Sequence, residues 1–227
     1  MYTLHIANKN YSSWSLRPWV LLQELDIAFV EQLHVFGQAT DWDEYRTINP
    51  SGLVPCLTDD DMVVWDSLAI MEYVAEQHPA VWPTDQKARA WARCAAAEMH
   101  SGFSALRNIC SMNCGLRVKL NEVPLALAND ISRIDALWQE GLERFGGPYL
   151  AGDTFTAVDA FYAPVVFRFL TYGTSLSAQS ADYVERILKL PSMQLWYSEA
   201  LQETYRDESH EIEVATHGVI TSDLRGS

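Results

Sequence analysis

Apolar and polar residues change their period several times within the first eighty positions. Tyr2-Thr3-Leu4-His5-Ile6 alternates and predicts a strand over 2–6. Residues 15–25, Ser15 to Leu25, carry the wider helical spacing, with Pro18 expected in the first turn, where its missing N–H is tolerated. Ala28 to Val35 alternates again, and Asp41 to Ile48 predicts a short helix closed by Asn49-Pro50 and the turn Ser51-Gly52. Two short strands follow, Val54–Thr58 and Met62–Trp65, joined by Asp59-Asp60-Asp61. Ser67 to Gln77 is then a helix with Leu68, Met71, Val74 and Ala75 on one stripe. The order βαβ, linking helix, ββα puts helices against a mixed sheet, which is the thioredoxin-like arrangement and not a doubly wound one.

His78-Pro79-Ala80-Val81-Trp82-Pro83 breaks the pattern, and from there on the periodicity is helical. Helices are predicted over 85–110, 124–145 (stopped by Gly146-Gly147-Pro148), 156–170 with a kink at Pro164, 181–188 and 192–204. The expected fold is therefore α+β followed by all-α: a thioredoxin-like domain over 1–80, a linker over 81–85, a helical domain over 86–206, and a loosely held acidic tail over 207–227.

Composition supports two packed domains. The chain has 227 residues, 48% of them hydrophobic and 11% aromatic, enough to build real cores and to exclude a disordered chain. Thirty Asp and Glu against sixteen Lys and Arg give a net charge of -14, which repels nucleic acid and anionic lipid and excludes them as partners. No apolar run reaches the roughly 18 residues a membrane span needs, and Met1 to Ile6 runs straight into a strand without the pattern of a signal peptide, so the expected location is the cytoplasm. Cys56, Cys94, Cys110 and Cys114 have neither disulfide-framework nor metal-site spacing; they read as reduced, buried thiols, and no metal is expected.

Four local motifs carry the candidate chemistry. Asn10-Tyr11-Ser12-Ser13-Trp14-Ser15 lies between the first strand and the first helix, beyond a strand's carboxyl end and at a helix N-terminus. A thiolate there would be stabilised. Lowering a thiol pKa by two units needs about 2.7 kcal/mol. One hydrogen bond to a charged acceptor supplies about 1.5–3 kcal/mol and the helix end about 0.3–1 kcal/mol. The competing reading is that these serines only cap the helix. In Leu53-Val54-Pro55, a cis bond before Pro55 would leave the Val54 N–H and C=O open to pair with an extended peptide. In Trp65-Asp66-Ser67, Ser67 reads as an N-cap, and the same helix end suits a carboxylate while Asp66 suits an ammonium. In Tyr149 to Asp159, Thr156 and Asp159 have capping-box spacing and read as folding chemistry.

Asn49-Pro50-Ser51-Gly52-Leu53-Val54-Pro55, Asp66-Ser67-Leu68-Ala69-Ile70 and Tyr149–Asp159, in this order and at these separations, resemble the cytosolic glutathione transferases over nearly the whole chain except the tail. Ser12-Ser13-Trp14-Ser15 resembles the serine-type branch, closest to the zeta class. The resemblance implies glutathione as co-substrate, a small electrophile as second substrate, and a homodimer. It implies Ser12 as the residue that activates the thiol, with Ser13 as second choice. It implies a glutathione site of Ser12, Leu53, Val54, Pro55, Asp66 and Ser67, with Val54 on the cysteinyl backbone and Asp66 and Ser67 on the γ-glutamyl end. Two positions depart from the pattern. Trp14 stands where zeta enzymes have Cys, which weighs against maleylacetoacetate isomerase activity. Leu53 stands where many relatives have Lys or Gln, and Arg17 or Arg117 are the candidates to replace that contact, against a reading of Arg17 as a plain surface or dimer charge. Trp14, Phe103 and His100 are the candidates for the second-substrate pocket, with Trp42 and Tyr162 behind them. No Cys lies near the first helix, which disfavours thiol-transferase chemistry.

The expected activity is addition of glutathione to an electrophile. The alternatives are glutathione-dependent cis–trans isomerisation of the maleylacetoacetate type, and a module that only binds glutathione. Assay of a maleyl keto acid separates the first alternative; retention on glutathione without turnover would favour the second.

Overall fold

The computed structural model describes residues 1–226. In the first domain β1 (Tyr2–Ala7), α1 (Ser13–Glu24), β2 (Phe29–His34), α2 (Ala39–Ile48), β3 (Cys56–Asp59), β4 (Met62–Val64) and α3 (Ser67–Ala75) follow the expected order. The sheet runs β2-β1-β3-β4, with β1 and β2 parallel and the other two pairs antiparallel. This is the mixed, thioredoxin-like sheet. Leu4, Ile6 and Leu57 are fully buried against α1 and α3, where Leu16, Val20, Ile70, Met71 and Val74 complete the core.

The expected helix from 15 begins earlier, at Ser13, with Ser12 as its N-cap. Pro18 therefore lies in the second turn and withholds a donor from the Trp14 carbonyl. Ser67, expected as the N-cap of α3, is its first helical residue: Asp66 is the N-cap, its side chain accepting from the Leu68 N–H at 2.9 Å.

A 3-10 turn at Pro79–Val81 leads into α4 (Gln86–Ser101). The long helix expected over 85–110 is two helices, because Gly102 and Phe103 break it: Phe103 takes φ 55, and α5 (Ser104–Ile109) starts in a new direction. The Leu106 N–H then donates to Asp130 on the next helix at 3.0 Å. That helix, α6 (Leu125–Phe145), and α7 (Ala157–Tyr172), α8 (Ala178–Leu188) and α9 (Pro191–Gln202) complete the helical domain. The helix α7 runs through Pro164 and is buried along almost its whole length. Its start is fixed by Asp159, whose carboxylate accepts from the N–H groups of Thr156 and Leu150 and the hydroxyls of Thr156 and Tyr183.

The segment expected as a loose tail is folded. It forms α10 (Glu208–His217) and β6 (Gly218–Asp223), and β6 pairs antiparallel with β5 (Leu116–Leu120), a strand the helical reading of this half did not anticipate. Arg225, with a side chain only 4% exposed, ties the end down by ion pairs to Glu211 and Asp223. Gly115 is required beneath it, because a Cβ there would strike the Arg225 side chain.

The two domains are clasped at Lys9. Its ammonium bonds Glu31 of β2 at 2.8 Å and Glu199 of α9, and lies over Trp19 at 4.8 Å and Trp196 at 5.4 Å. This clasp, together with α1 packed on α7, sets the start of α1 against the helical domain.

Candidate functional site

Ser12 sits in the turn between β1 and α1, where its N–H and that of Tyr11 both donate to the Asn8 carbonyl. Its hydroxyl makes no capping bond to the helix. It bonds the Ser15 hydroxyl at 2.7 Å, and Ser15 accepts from the Ala7 N–H at 3.2 Å. The hydroxyl of this N-cap residue is thus held at a helix N-terminus without bonding a helix N–H there. Ser13, the first residue of α1, accepts instead from Arg168 Nη2 at 3.3 Å.

Both serines open onto a chamber of about 640 Å³ between the domains. Its floor is Tyr11, Ser12, Ser13 and Trp14, and one rim is Gly52, Leu53 and Val54. Phe36 and Trp42, stacked at 5.9 Å, form the side. Arg107, Ser111 and Arg168 form the wall from the helical domain, and His210 and Glu213 of α10 form the cover.

The wall is strongly positive. Arg168 is buried and donates to the carbonyls of Cys110 and Arg107. Arg107 lies over the Trp14 ring at 5.3 Å, and Arg17 lies against the same ring at 3.9 Å. Burial and then repulsion from Arg107 and Arg168 pull the Arg17 guanidinium down to about 9, and burial pulls Arg168 down to about 10, so both remain charged at neutrality; burial lowers Arg107 as well. Among the described residues none of the three is in a salt bridge. A chain of net charge -14 thus presents a local cationic field beside Ser13, which is what an anionic ligand requires.

Of the residues singled out from sequence, Ser12, Ser13, Trp14, Trp42, Leu53 and Val54 meet at this chamber. Pro55, Asp66, Ser67, His100 and Phe103 do not line it. The Val54–Pro55 bond is cis, as is Trp65–Asp66. The pairing of β3 with β1 ends at Cys56, so Val54 lies outside the sheet ladder. Ser67 is fully buried and its hydroxyl has no hydrogen-bond partner among the described residues. Asp66 is half exposed and pairs with His100 Nε2 at 3.2 Å. His100 in turn meets the edge of Trp14 at 5.3 Å, so it supports the floor from behind. Phe103 is buried at the break between α4 and α5, and Tyr162 is buried with its hydroxyl on the Ala95 carbonyl.

Neither arginine proposed to replace a polar group at Leu53 is near it. Leu53 is 70% exposed, Arg17 is packed beneath Trp14 and is no surface charge, and Arg117 bonds the Cys114 and Leu116 carbonyls and Tyr197. Three cysteines are buried as expected, but Cys94 is exposed, and none lines the chamber. Burial raises the thiols of Cys56 to about 11 and of Cys110 to about 12. No cluster of three or more metal-ligating side chains occurs among the described residues, and none of their helices is long and apolar enough to cross a membrane.

Sequence reading missed Arg107, Arg168 and His210. The signal available for His210 was Asp207-x-x-His210, a capping aspartate one turn from a ring it can bond.

Family models for the N-terminal and C-terminal domains of glutathione S-transferase match residues 11–77 and 89–197. Curated relatives include a maleylacetoacetate isomerase of Rattus norvegicus, 30% identical over 169 residues that cover 73% of this chain and 76% of the relative. A glutathione S-transferase Z2 of Arabidopsis thaliana is 30% identical over 168 residues, covering 70% and 74%. Among solved structures, a glutathione transferase homologue from Burkholderia with bound glutathione superposes with a TM-score of 0.66 at 22% identity, covering 88% of this chain and 97% of that one.

Proposed function

The chain belongs to the glutathione S-transferase family, and from that premise we propose that it holds glutathione as a thiolate beside Ser12 and adds it to a small electrophile bound in the chamber. The observation that carries this is the Ser12 hydroxyl: it stands at the start of α1, is not spent on capping, and faces a wall bearing Arg107 and Arg168. In this reading the Ser12 proton turns from Ser15 to the sulfur, and Ser15, still accepting from Ala7, donates to Ser12 in its place. The helix N-terminus and the Arg168 guanidinium favour the anion over the thiol. Bringing two reactants together in one chamber supplies the rest.

Glutathione fits the groups around that point. Val54, free of the ladder, offers its backbone to the cysteinyl unit, and Ser67 and Asp66, which lie outside the chamber lining, are assigned to the γ-glutamyl carboxylate and ammonium. The same reading makes the protein a cytoplasmic homodimer, supported by half-exposed Met62 and Trp65 on the β4–α3 edge. The test is retention on immobilised glutathione together with turnover of an aryl halide and an activated alkene. Retention without turnover of either would leave only a binding module.

A second reading is glutathione-dependent isomerisation of a maleyl keto acid. The specific observation in its favour is the pair of guanidinium groups, Arg107 and Arg168, suited to carboxylates on such a substrate. Trp14 does not decide against it, since its ring is held between Arg17 and Arg107 as part of that wall. Conversion of a maleyl to a fumaryl keto acid at a rate above conjugation would establish it.

A further inference from the structure

We propose that His210, oriented by Asp207, is the proton donor to the second substrate when that substrate is one, such as an activated alkene, that must take up a proton as the thiolate adds to it. This rests on the reading of Ser12 as the thiolate site. Three observations carry it. First, the His210 ring covers the chamber that Ser12 and Ser13 open onto, stacking on Tyr11 at 5.0 Å and against Phe36 at 5.4 Å. Tyr11 is the neighbour of Ser12 in the chain, so the ring lies over the turn that presents the activating hydroxyl. Second, His210 Nδ1 is 2.7 Å from Asp207 Oδ1, which also accepts from the His210 N–H at 3.2 Å and the Ser209 hydroxyl at 2.5 Å. Third, Nε2 has no hydrogen-bond partner among the described residues, and the side chain is 27% exposed.

A carboxylate only accepts, so Nδ1 carries a hydrogen. Nε2 is then a lone pair on the neutral ring and an N–H on the protonated one. This is the orienting arrangement by which an aspartate fixes the tautomer of a working histidine. The other charged and titratable groups facing the ring are accounted for. Asp207 is kept below the usual carboxylate range, where donors from Ser209 and His210 outweigh burial. Tyr11 is pushed well above its ordinary value by burial and by Glu211, and stays neutral. Glu211 is engaged by Arg225 and Tyr11, Glu213 by Ser111, and Arg107 and Arg168 stand across the chamber.

The step balances. The thiolate sulfur bonds the β-carbon of the alkene, the π pair moves to the carbonyl oxygen as an enolate, and the proton on Nε2 passes to that enolate. The ring is left neutral and takes its next proton from solvent. An aryl halide needs no such proton, because its electron pair leaves with chloride. The two substrate types therefore separate the role of His210 from any role in shaping the chamber.

The experiment measures kcat for trans-4-phenyl-3-buten-2-one and for 1-chloro-2,4-dinitrobenzene, with glutathione saturating. His210→Gln is expected to lower the ratio of alkene to aryl halide turnover by about 100-fold, and Asp207→Asn to lower it in the same direction. The wild-type protein is expected to lose alkene turnover at alkaline pH through an ionisation absent from its aryl halide profile, and this decides the matter if the variants fail to fold. Equal losses for both substrates, no loss for either, or superimposable wild-type profiles would overturn the assignment. Failure of the wild-type protein to bind glutathione or to turn over the aryl halide would instead bring down the thiolate reading beneath it, and this assignment with it.

Discussion

The Arg168 guanidinium donates from Nη2 to the Ser13 hydroxyl at 3.3 Å, carrying a charge from α7 of the helical domain to the first residue of α1 in the sheet domain. The contact gives the two adjacent serines different work. Ser13 has its oxygen engaged by a cation, whereas Ser12 is bonded only to another hydroxyl that can exchange donor and acceptor roles with it. The arrangement favours Ser12 as the group that turns to a sulfur and Ser13 as the anchor that keeps the cation close.

Ser12→Ala removes the hydrogen bond to the thiolate but not the charge behind it. Loss of one bond to a charged acceptor, about 1.5–3 kcal/mol, raises the pKa of the bound thiol by roughly 1–2 units. The thiolate absorbance of the binary complex, followed against pH, should show this rise with little change in glutathione affinity, and kcat near neutrality should fall about 10-fold or more. Ser13→Ala should move the thiol pKa less. The same shift for both variants, or none for Ser12→Ala, would remove Ser12 from the role.

Arg107 lines the chamber with most of its side-chain donors uncommitted: the one hydrogen bond of its guanidinium among the described residues is a long one, 3.4 Å, to the His100 carbonyl. Arg107→Ala should therefore act on charged substrates selectively. For an electrophile bearing a carboxylate, kcat/KM should fall about 10- to 100-fold, the worth of a charge-assisted hydrogen bond. For its methyl ester the fall should be small. Equal losses would mean that Arg107 serves only to hold the Trp14 ring.

Asp159 is a folding residue. It is fully buried, and burial pushes its carboxyl up to about 6 against the four donors from Leu150, Thr156 and Tyr183. Asp159→Asn replaces an acceptor by an NH2 that faces those donors, and should cost about 2–4 kcal/mol in urea unfolding. Because α7 carries Arg168, the loss should be visible as stability at temperatures where the residual folded protein still binds glutathione.

Local pattern and long-range pairing differ in how far they were legible in the sequence. The β1 strand, the apolar stripe of α6 and the Thr156–Asp159 spacing are local, and the structure has all three, although β1 is buried on both faces and does not alternate in burial. Strands β5 and β6 come from segments far apart in the chain, and neither Leu116–Leu120 nor Gly218–Asp223 has a neighbouring partner strand to announce it. The break at Gly102 and Phe103 was hidden by the alanine-rich run before it, since helix propensity there outweighs a single glycine. The candidate site divides in the same way. Ser12, Ser13, Trp14, Leu53 and Val54 are readable because they lie at chain turns at one end of the central strands β1 and β3, while the cationic wall exists only once Arg168 of α7 reaches the Arg107 carbonyl of α5.

The folded tail is an ionic device, and its response to pH follows from the groups that hold it. Glu211 accepts from Arg225, from the Tyr11 hydroxyl at 2.7 Å and from Asn113 at 3.3 Å; burial alone would raise its carboxyl, but these donors outweigh it and hold it below the usual value. Asp223 is lowered as well, chiefly by Arg225. A carboxyl whose pKa is lower folded than unfolded stabilises above its unfolded value, about 4 for these side chains, and loses that contribution as pH falls through the folded value. The tail should therefore stay docked above about pH 5 and loosen only below about pH 4. Hydrogen exchange at the amides of β6 should accelerate in that acidic window before the amides of α7 do. Glu211→Gln should produce the same early exchange at neutral pH, because a neutral amide leaves the buried Arg225 with only one of the two carboxylates that balance it, Asp223. Since α10 also carries His210, that variant should lose turnover of an activated alkene in step with tail opening. Exchange that begins in α7 and β6 together, at acid pH and in the variant alike, would mean the tail is part of the global fold and not a separately releasable cover.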